Sequence, residues 1–277
     1  MTSAYLSLRC ISSGVRFQLA ADSELLLEKM LARAPFGTRT HLASSSEVPE
    51  FKLTALGQGL GYRLFAPKEA AKETANEAVA EGADLEPVLI QLARELMLLV
   101  ANNAPDRVFL HAGVVGWQGR ALILPGTSFA GKTTLVAELV RAGATYYSDE
   151  YAVLDQQGRV HPYPRALQMR QPGKPEQTAV AVEDLKGRAG VEALPVSHVA
   201  FARYKQRAEW TAEPVSRGIA VLEMLRHAIP VQRAPARVMA TLAKMMESAT
   251  ALRSERGEAS HAARCLLNAM NPCEALQ

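Results

Sequence analysis

GTSFAGKT, Gly126–Thr133, lies between an apolar run, ALILP (121–125), and a run with helical spacing, KTTLVAELV (132–140). Its two glycines and closing Lys-Thr satisfy the pattern G-x-x-x-x-G-K-[ST]. In the order strand, glycine segment, helix, successive backbone N–H groups and a helix N-terminus converge on an anion. Two readings are open: a phosphate cradle, or a glycine turn joining a strand to a helix. The flanking pattern favours the cradle, which assigns Gly126, Thr127, Ser128, Phe129, Ala130, Gly131, Lys132, Thr133 and Thr134 to a nucleotide-binding segment. Gly126 and Gly131 would permit the tight path, Lys132 would reach the β- and γ-phosphates, and Thr133 would offer its hydroxyl to Mg2+.

The segment's neighbours supply candidate acids and a candidate base. Between Lys132 and Asp149 there is room for a helix, a stop at Gly143 and one short strand, TYYS, ending at Asp149 and Glu150. A strand returning parallel to ALILP would present those carboxylates at the edge of the sheet where the phosphates would sit. The alternative is a solvated SDEY turn. His111 interrupts the apolar strand VFLHAGVV, which folds back through WQG onto ALILP. It is either a satisfied structural histidine or a side chain carried to the same edge. Farther on, RVHPYPRALQMR carries His161, Arg165 and Arg170, read chiefly as residues of a surface loop, with an arginine returning to the phosphates as the alternative.

The rest of the chain frames this region. Residues 1–84 mix strand-like pieces (AYLSLRCI, VRFQLA, YRLFA) with a helical stretch, Ser23–Ala34, and read as a small α+β lobe. That lobe ends in KEAAKETANEAVAEGADLE, read as a solvated helix or linker. Residues 85–277 read as the nucleotide-binding domain. LEPVLIQLARELMLLVANN opens it as an amphipathic helix packing on a sheet, and helices around 218–228, 235–249 and 259–270 close it. A Pro/Gly-rich loop after Gln171 and a strand, VSHVAFARY, lie between. The fold class expected is α/β: a mixed sheet flanked by helices with a small N-terminal lobe.

Composition removes other classes. The chain has 277 residues, 48% hydrophobic and 21% charged, as globular proteins do. A net charge of +3, with basic residues dispersed, argues against nucleic acid as partner. PVLIQLARELMLLVA is short and carries Arg94 and Glu95, so no membrane span is expected. Cys10, Cys265 and Cys273 have no metal-ligand spacing and suit a reducing compartment, so a cytoplasmic location is expected.

LHAGVVGWQGRALILPGTSFAGKTTLVAELVRAGATYYSDEYAVLD, residues 110–155, resembles the catalytic core of the HPr kinase/phosphorylase family, serine kinases whose fold is related to phosphoenolpyruvate carboxykinase. The resemblance implies an ATP- and Mg2+-dependent phosphotransferase acting on a hydroxyl, the expected acceptor being serine of a protein or peptide other than HPr. It matches His111 to the active-site histidine, Lys132 and Thr133 to the phosphate and magnesium residues, and Asp149 to the general base. Glu150 replaces a second aspartate, as a further magnesium residue. LKGRAG, with Lys186, Gly187 and Arg188, is a loose counterpart of the family's later Arg-Gly-Arg signature. A homo-oligomer also fits the resemblance. A nucleotide-binding regulatory module and a small-molecule kinase are the other functions considered.

Overall fold

The computed structural model describes residues 5–40, 48–56, 60–67, 76–126, 131–170 and 177–271; Thr127, Ser128, Phe129, Ala130 and Cys273 lie outside them. Its contacts divide the chain into two compact units, Met1–Asp106 and Arg107–Gln277. The sequence reading divides it at 84/85. The helix that follows residue 84 lies with the first unit, because its apolar face packs on that unit's strands.

The first unit runs β1 (Leu6–Ser12), β2 (Val15–Ala21), α1 (Glu24–Ala32), β3 (Arg39–Thr40), β4 (Glu50–Leu56), β5 (Gly61–Pro67), β6 (Asn76–Gly82) and α2 (Leu85–Asn103). The strand order is β3-β1-β2-β4-β5-β6, antiparallel except for β2 beside β4. Ser23 starts α1 by accepting a hydrogen bond from the Leu26 N–H, as its position before an apolar run leads one to expect. The Ala/Glu-rich run requires a correction: of its described part, residues 76–86, residues 76–82 are β6, an edge strand on β5, and only Leu85 and Glu86 are helical, as the start of α2. Helix preference of Ala and Glu is worth only a few tenths of a kcal/mol per residue. The ladder offered by β5 outweighs it.

The second unit runs β7 (Val108–Trp117), β8 (Arg120–Pro125), α3 (Lys132–Arg141), β9 (Thr145–Ser148), β10 (Tyr151–Leu154), β11 (Arg159–His161), β12 (Leu167–Arg170), β13 (Gln177–Val180), β14 (Leu194–Tyr204), β15 (Glu213–Val215), α4 (Arg217–Leu225), α5 (Pro235–Met246), β16 (Thr250–Arg256) and α6 (Ala259–Met270). The chain is thus mixed α/β, with six α-helices among the described residues. None of them is long and apolar enough to cross a membrane. β7 and β8 form a hairpin through Gln118 and Gly119, whose φ values of 47° and 74° suit a turn matching the strands' twist. β8, β14 and β16 run parallel. β9 and β10 lie end to end along the other edge of β7, and β11 pairs with both β10 and β14, closing a ring of strands.

Alternation along the strands builds two cores. Leu110, Ala112 and Val114 of β7 and Ile123 of β8 pack with α4 and α5. Val115, Leu122 and Leu124 pack with α3 and α6. In the second unit β12 and β13, a separate pair in the region read as loop, β15, and β16 between two of the C-terminal helices were not expected from the sequence, nor were β3 and β4 in the first. The inward residues of β16 include Ser254 and Arg256, so no apolar alternation announces it.

Asp155 closes the turn between β10 and β11. It accepts from the Gln157 and Arg159 N–H groups at 3.0 and 2.9 Å, and its other oxygen lies 2.7 Å from His161 Nε2. His161 is therefore committed to this turn. Burial alone would raise the Asp155 pKa, but His161 and the two amides hold it below its ordinary 3.8. Asp155→Ala should cost about 1–3 kcal/mol in a urea melt. The wild type's surplus over the variant should be full above the ordinary Asp value and vanish as pH falls through the depressed folded one.

Candidate functional site

The site gathers where β9 gives way to β10. The Ser148 hydroxyl accepts from the N–H groups of Glu150 and Tyr151 at 3.1 and 2.9 Å, which bends the chain out of one strand and into the next. β7 fixes the position of this bend, since the Ala112 N–H donates to the Glu150 carbonyl and Tyr151 pairs with His111. β9 runs in the same direction as β8, as expected, but β7 lies between them. The bend turns Asp149 inward, at 8% exposure, and leaves Glu150 exposed.

Asp149 is held by its surroundings. Its Oδ1 is 2.9 Å from the Tyr146 hydroxyl, which also lies 2.8 Å from the Arg165 carbonyl. Further hydrogen bonds come from the Thr133 hydroxyl and the Gln168 N–H. Burial nevertheless wins and moves the carboxyl above its ordinary pKa. Glu150, its side chain still 48% exposed, is raised as well, by partial desolvation that outweighs the opposing charge of Arg165 and a hydrogen bond from Tyr151. Arg165 approaches Glu150 at 3.6 Å, so this loop arginine does return to the site. Arg170 is exposed at the end of β12, in register with Gln177. The LKGRAG segment backs β9: the Arg188 carbonyl accepts from the Tyr146 N–H at 2.9 Å.

Facing these carboxylates is the start of α3. Gly131 caps it in the left-handed region, φ 75°, where a side chain would be strained. Lys132 opens the helix, with Thr133 and the exposed Thr134 after it. Gly126 is pinned to β7 by donating to the His111 carbonyl at 3.2 Å. Desolvation lowers the Lys132 pKa, while Asp149 and Glu150 pull it the other way. A narrow cleft lined by Pro125, Gly131, Lys132 and Arg256 adjoins the helix start. A second depression, in the first unit, is lined by Leu31, Pro35, Thr38 and Arg39, the arginine being the charged residue of its lining.

His111 lies on this edge too. Its ring packs on Tyr151, centroids 5.0 Å apart, and its backbone N–H donates to the His227 carbonyl at 2.8 Å. Partial desolvation, then Lys132, then His227 hold the His111 imidazole below its ordinary pKa. His227 is lowered by desolvation and by Lys132. The structure thus brings together His111, Lys132, Thr133, Asp149 and Glu150. Sequence reasoning missed Tyr146, Tyr151, His227 and Arg256. A histidine just past a helix and tyrosines in short strands belong to no spacing pattern, so only their position in the fold distinguishes them.

The donor set suits a triphosphate with magnesium. Among the described residues no group of three or more His, Cys, Asp or Glu could hold a metal alone. Magnesium commonly takes one or two protein oxygens and completes its octahedron with phosphate and water. The Thr133 hydroxyl and the Asp149 carboxylate, already in hydrogen-bond contact, could provide such oxygens. Compared with known proteins, the chain matches no family model and no curated protein.

The Lys132–His111 coupling can be measured. By NMR titration, the His111 imidazole should become protonated below pH 6.5, its ordinary value. In Lys132→Ala the midpoint should move upward, because a neighbouring positive charge that disfavours the imidazolium is gone. A midpoint that stays put would remove Lys132 from the histidine's surroundings.

Proposed function

We propose that residues 107–277 form a P-loop phosphotransferase of the HPr kinase/phosphoenolpyruvate carboxykinase-like type. It transfers the γ-phosphoryl group of ATP, or another nucleoside triphosphate, to a hydroxyl, with serine of a protein or peptide as the acceptor class. The observation that carries this reading is the meeting of Lys132, at the N-terminus of a helix entered from a parallel strand, with the buried Asp149 and with His111. A helix N-terminus and a lysine fit phosphate oxygens, and a carboxylate beside them fits a base for the incoming hydroxyl.

In this mechanism Lys132 holds the terminal phosphates, and its positive charge offsets charge spreading over the transferring group. Thr133 and Asp149 are the magnesium residues, with Glu150 beside them. Magnesium, when bound, neutralises the phosphate oxygens. Asp149 accepts the acceptor's proton as the hydroxyl oxygen bonds to the γ-phosphorus and the bond to the ADP oxygen breaks. His111, neutral near pH 7, adds no repulsion to Lys132 and lines the same edge.

The test pairs binding with transfer. Wild type should bind Mg-ATP in calorimetry and pass label from γ-labelled ATP to a polypeptide in a lysate from its own source. Asp149→Asn should keep nucleotide affinity within a few-fold and lose about 10²–10⁴ in rate. Lys132→Ala should weaken nucleotide binding itself. Binding without transfer to any acceptor would favour a regulatory nucleotide-binding module, and label found only in dialysable products would favour a small-molecule kinase. Absence of nucleotide binding by wild type would remove the proposal.

A further inference from the structure

Arg256 belongs to no motif in the sequence, yet it is 3% exposed at the end of β16. The parallel strands β8, β14 and β16 end along one edge of the sheet, which brings the Arg256 guanidinium behind the start of α3. Its Nη2 donates to the Gly131 carbonyl at 2.8 Å, and its Nη1 to the Gly257 carbonyl at 3.2 Å. Its Nε is buried and has no hydrogen-bond partner among the described residues. The Tyr204 ring lies 5.5 Å from the guanidinium carbon, and among the described residues no carboxylate is within ion-pair distance.

These contacts are specific to the glycine. A Cβ added at Gly131 would come within 2.4 Å of Arg256 Nη2. The positive φ of Gly131 and the arginine behind it therefore define one arrangement, in which the guanidinium occupies the space a side chain would take. A buried guanidinium with no carboxylate within ion-pair distance among the described residues, the charge of Glu258 acting on it only from farther off, leaves positive potential beside a helix N-terminus on the side where Lys132 also stands. The complement to that potential is a polyanion.

We propose that Arg256 is a positioning residue of the phosphate site: it braces the Gly131 carbonyl, fixing the entry to α3, and adds buried positive charge behind the polyphosphate. The inference rests on the nucleotide reading of the preceding section and extends it to a residue from the far end of the chain. It predicts an effect on the phosphates as a group, independent of the base and of the acceptor.

Calorimetry on the full chain with Mg-ATP and with inorganic tripolyphosphate tests this, alongside thermal melts of wild type, Arg256→Met and Arg256→Lys. In Arg256→Met the dissociation constants for ATP and tripolyphosphate should rise together, about tenfold or more. KM for ATP should rise by a similar factor while kcat stays within about twofold, as for lost uniform binding. Arg256→Lys keeps the charge but loses the planar fork, and should recover part of the affinity. Should Arg256→Met not fold, Arg256→Lys decides, with weakening of both ligands by about threefold or more expected. Wild type that binds both ligands, with wild-type affinity in the folded variants, overturns the role of Arg256 and leaves the nucleotide reading standing. Wild type that binds neither overturns both.

Discussion

The hydroxyl of Ser148, accepting two successive N–H groups, decides where the acid of this site stands. Without that bend, β9 and β10 would run on as one strand along β7, and successive side chains would alternate between the two cores. With it, the chain leaves the ladder for two residues and rejoins it at Tyr151, opposite His111. Asp149 is thereby tucked beside Tyr146 and Thr133, and Glu150 is turned toward Arg165 and Tyr151. Two adjacent carboxylates thus acquire different partners from one hydroxyl's geometry.

The sheet supplies the opposing wall. α3 and α6 cover one face and α4 and α5 the other. The segment after α4 reaches β7, where His227 meets the backbone of His111 and Ala228 bridges Leu110. The result is a polarised site. Imidazoles and an ammonium gather around the start of α3, desolvated enough to fall below their ordinary pKa values, while the acids of the bend are pushed above theirs. Groups displaced in this direction are nearer to exchanging protons at neutral pH than the same groups in water.

Much of this was legible in the sequence because it is local. The β7–β8 hairpin has its turn residues and alternating strands within one short stretch, and α3 has its glycine and its apolar face. Asp149 was placed by counting the residues a crossover needs. What escaped depends on distant pairing. β6 is a strand because β5 has an open edge, and Ala and Glu say nothing of that edge. β16 carries Ser254 and Arg256 inward, so an apolar pattern was absent where a central strand was required. Tyr146 and His227 matter through neighbours far away in sequence, and no spacing encodes them.

The division of work between Asp149 and Glu150 follows from chain length and partners. An aspartate at the first position of the bend reaches only inward, to the Thr133 and Tyr146 hydroxyls, and is fixed by neutral donors. A glutamate at the second, one methylene longer and solvent-facing, meets a cation, Arg165, on a segment whose carbonyl lies within reach of the Tyr146 hydroxyl. Both acids are therefore linked to Arg165, Asp149 through the Tyr146 hydroxyl beside its carbonyl and Glu150 through its guanidinium. Burial raises the basicity of Asp149 although its hydroxyl donors pull the other way, whereas Glu150 has part of its charge matched by a guanidinium. Glu150 is thereby drawn toward holding the Arg165 segment, and the proposal leaves the proton transfer to Asp149.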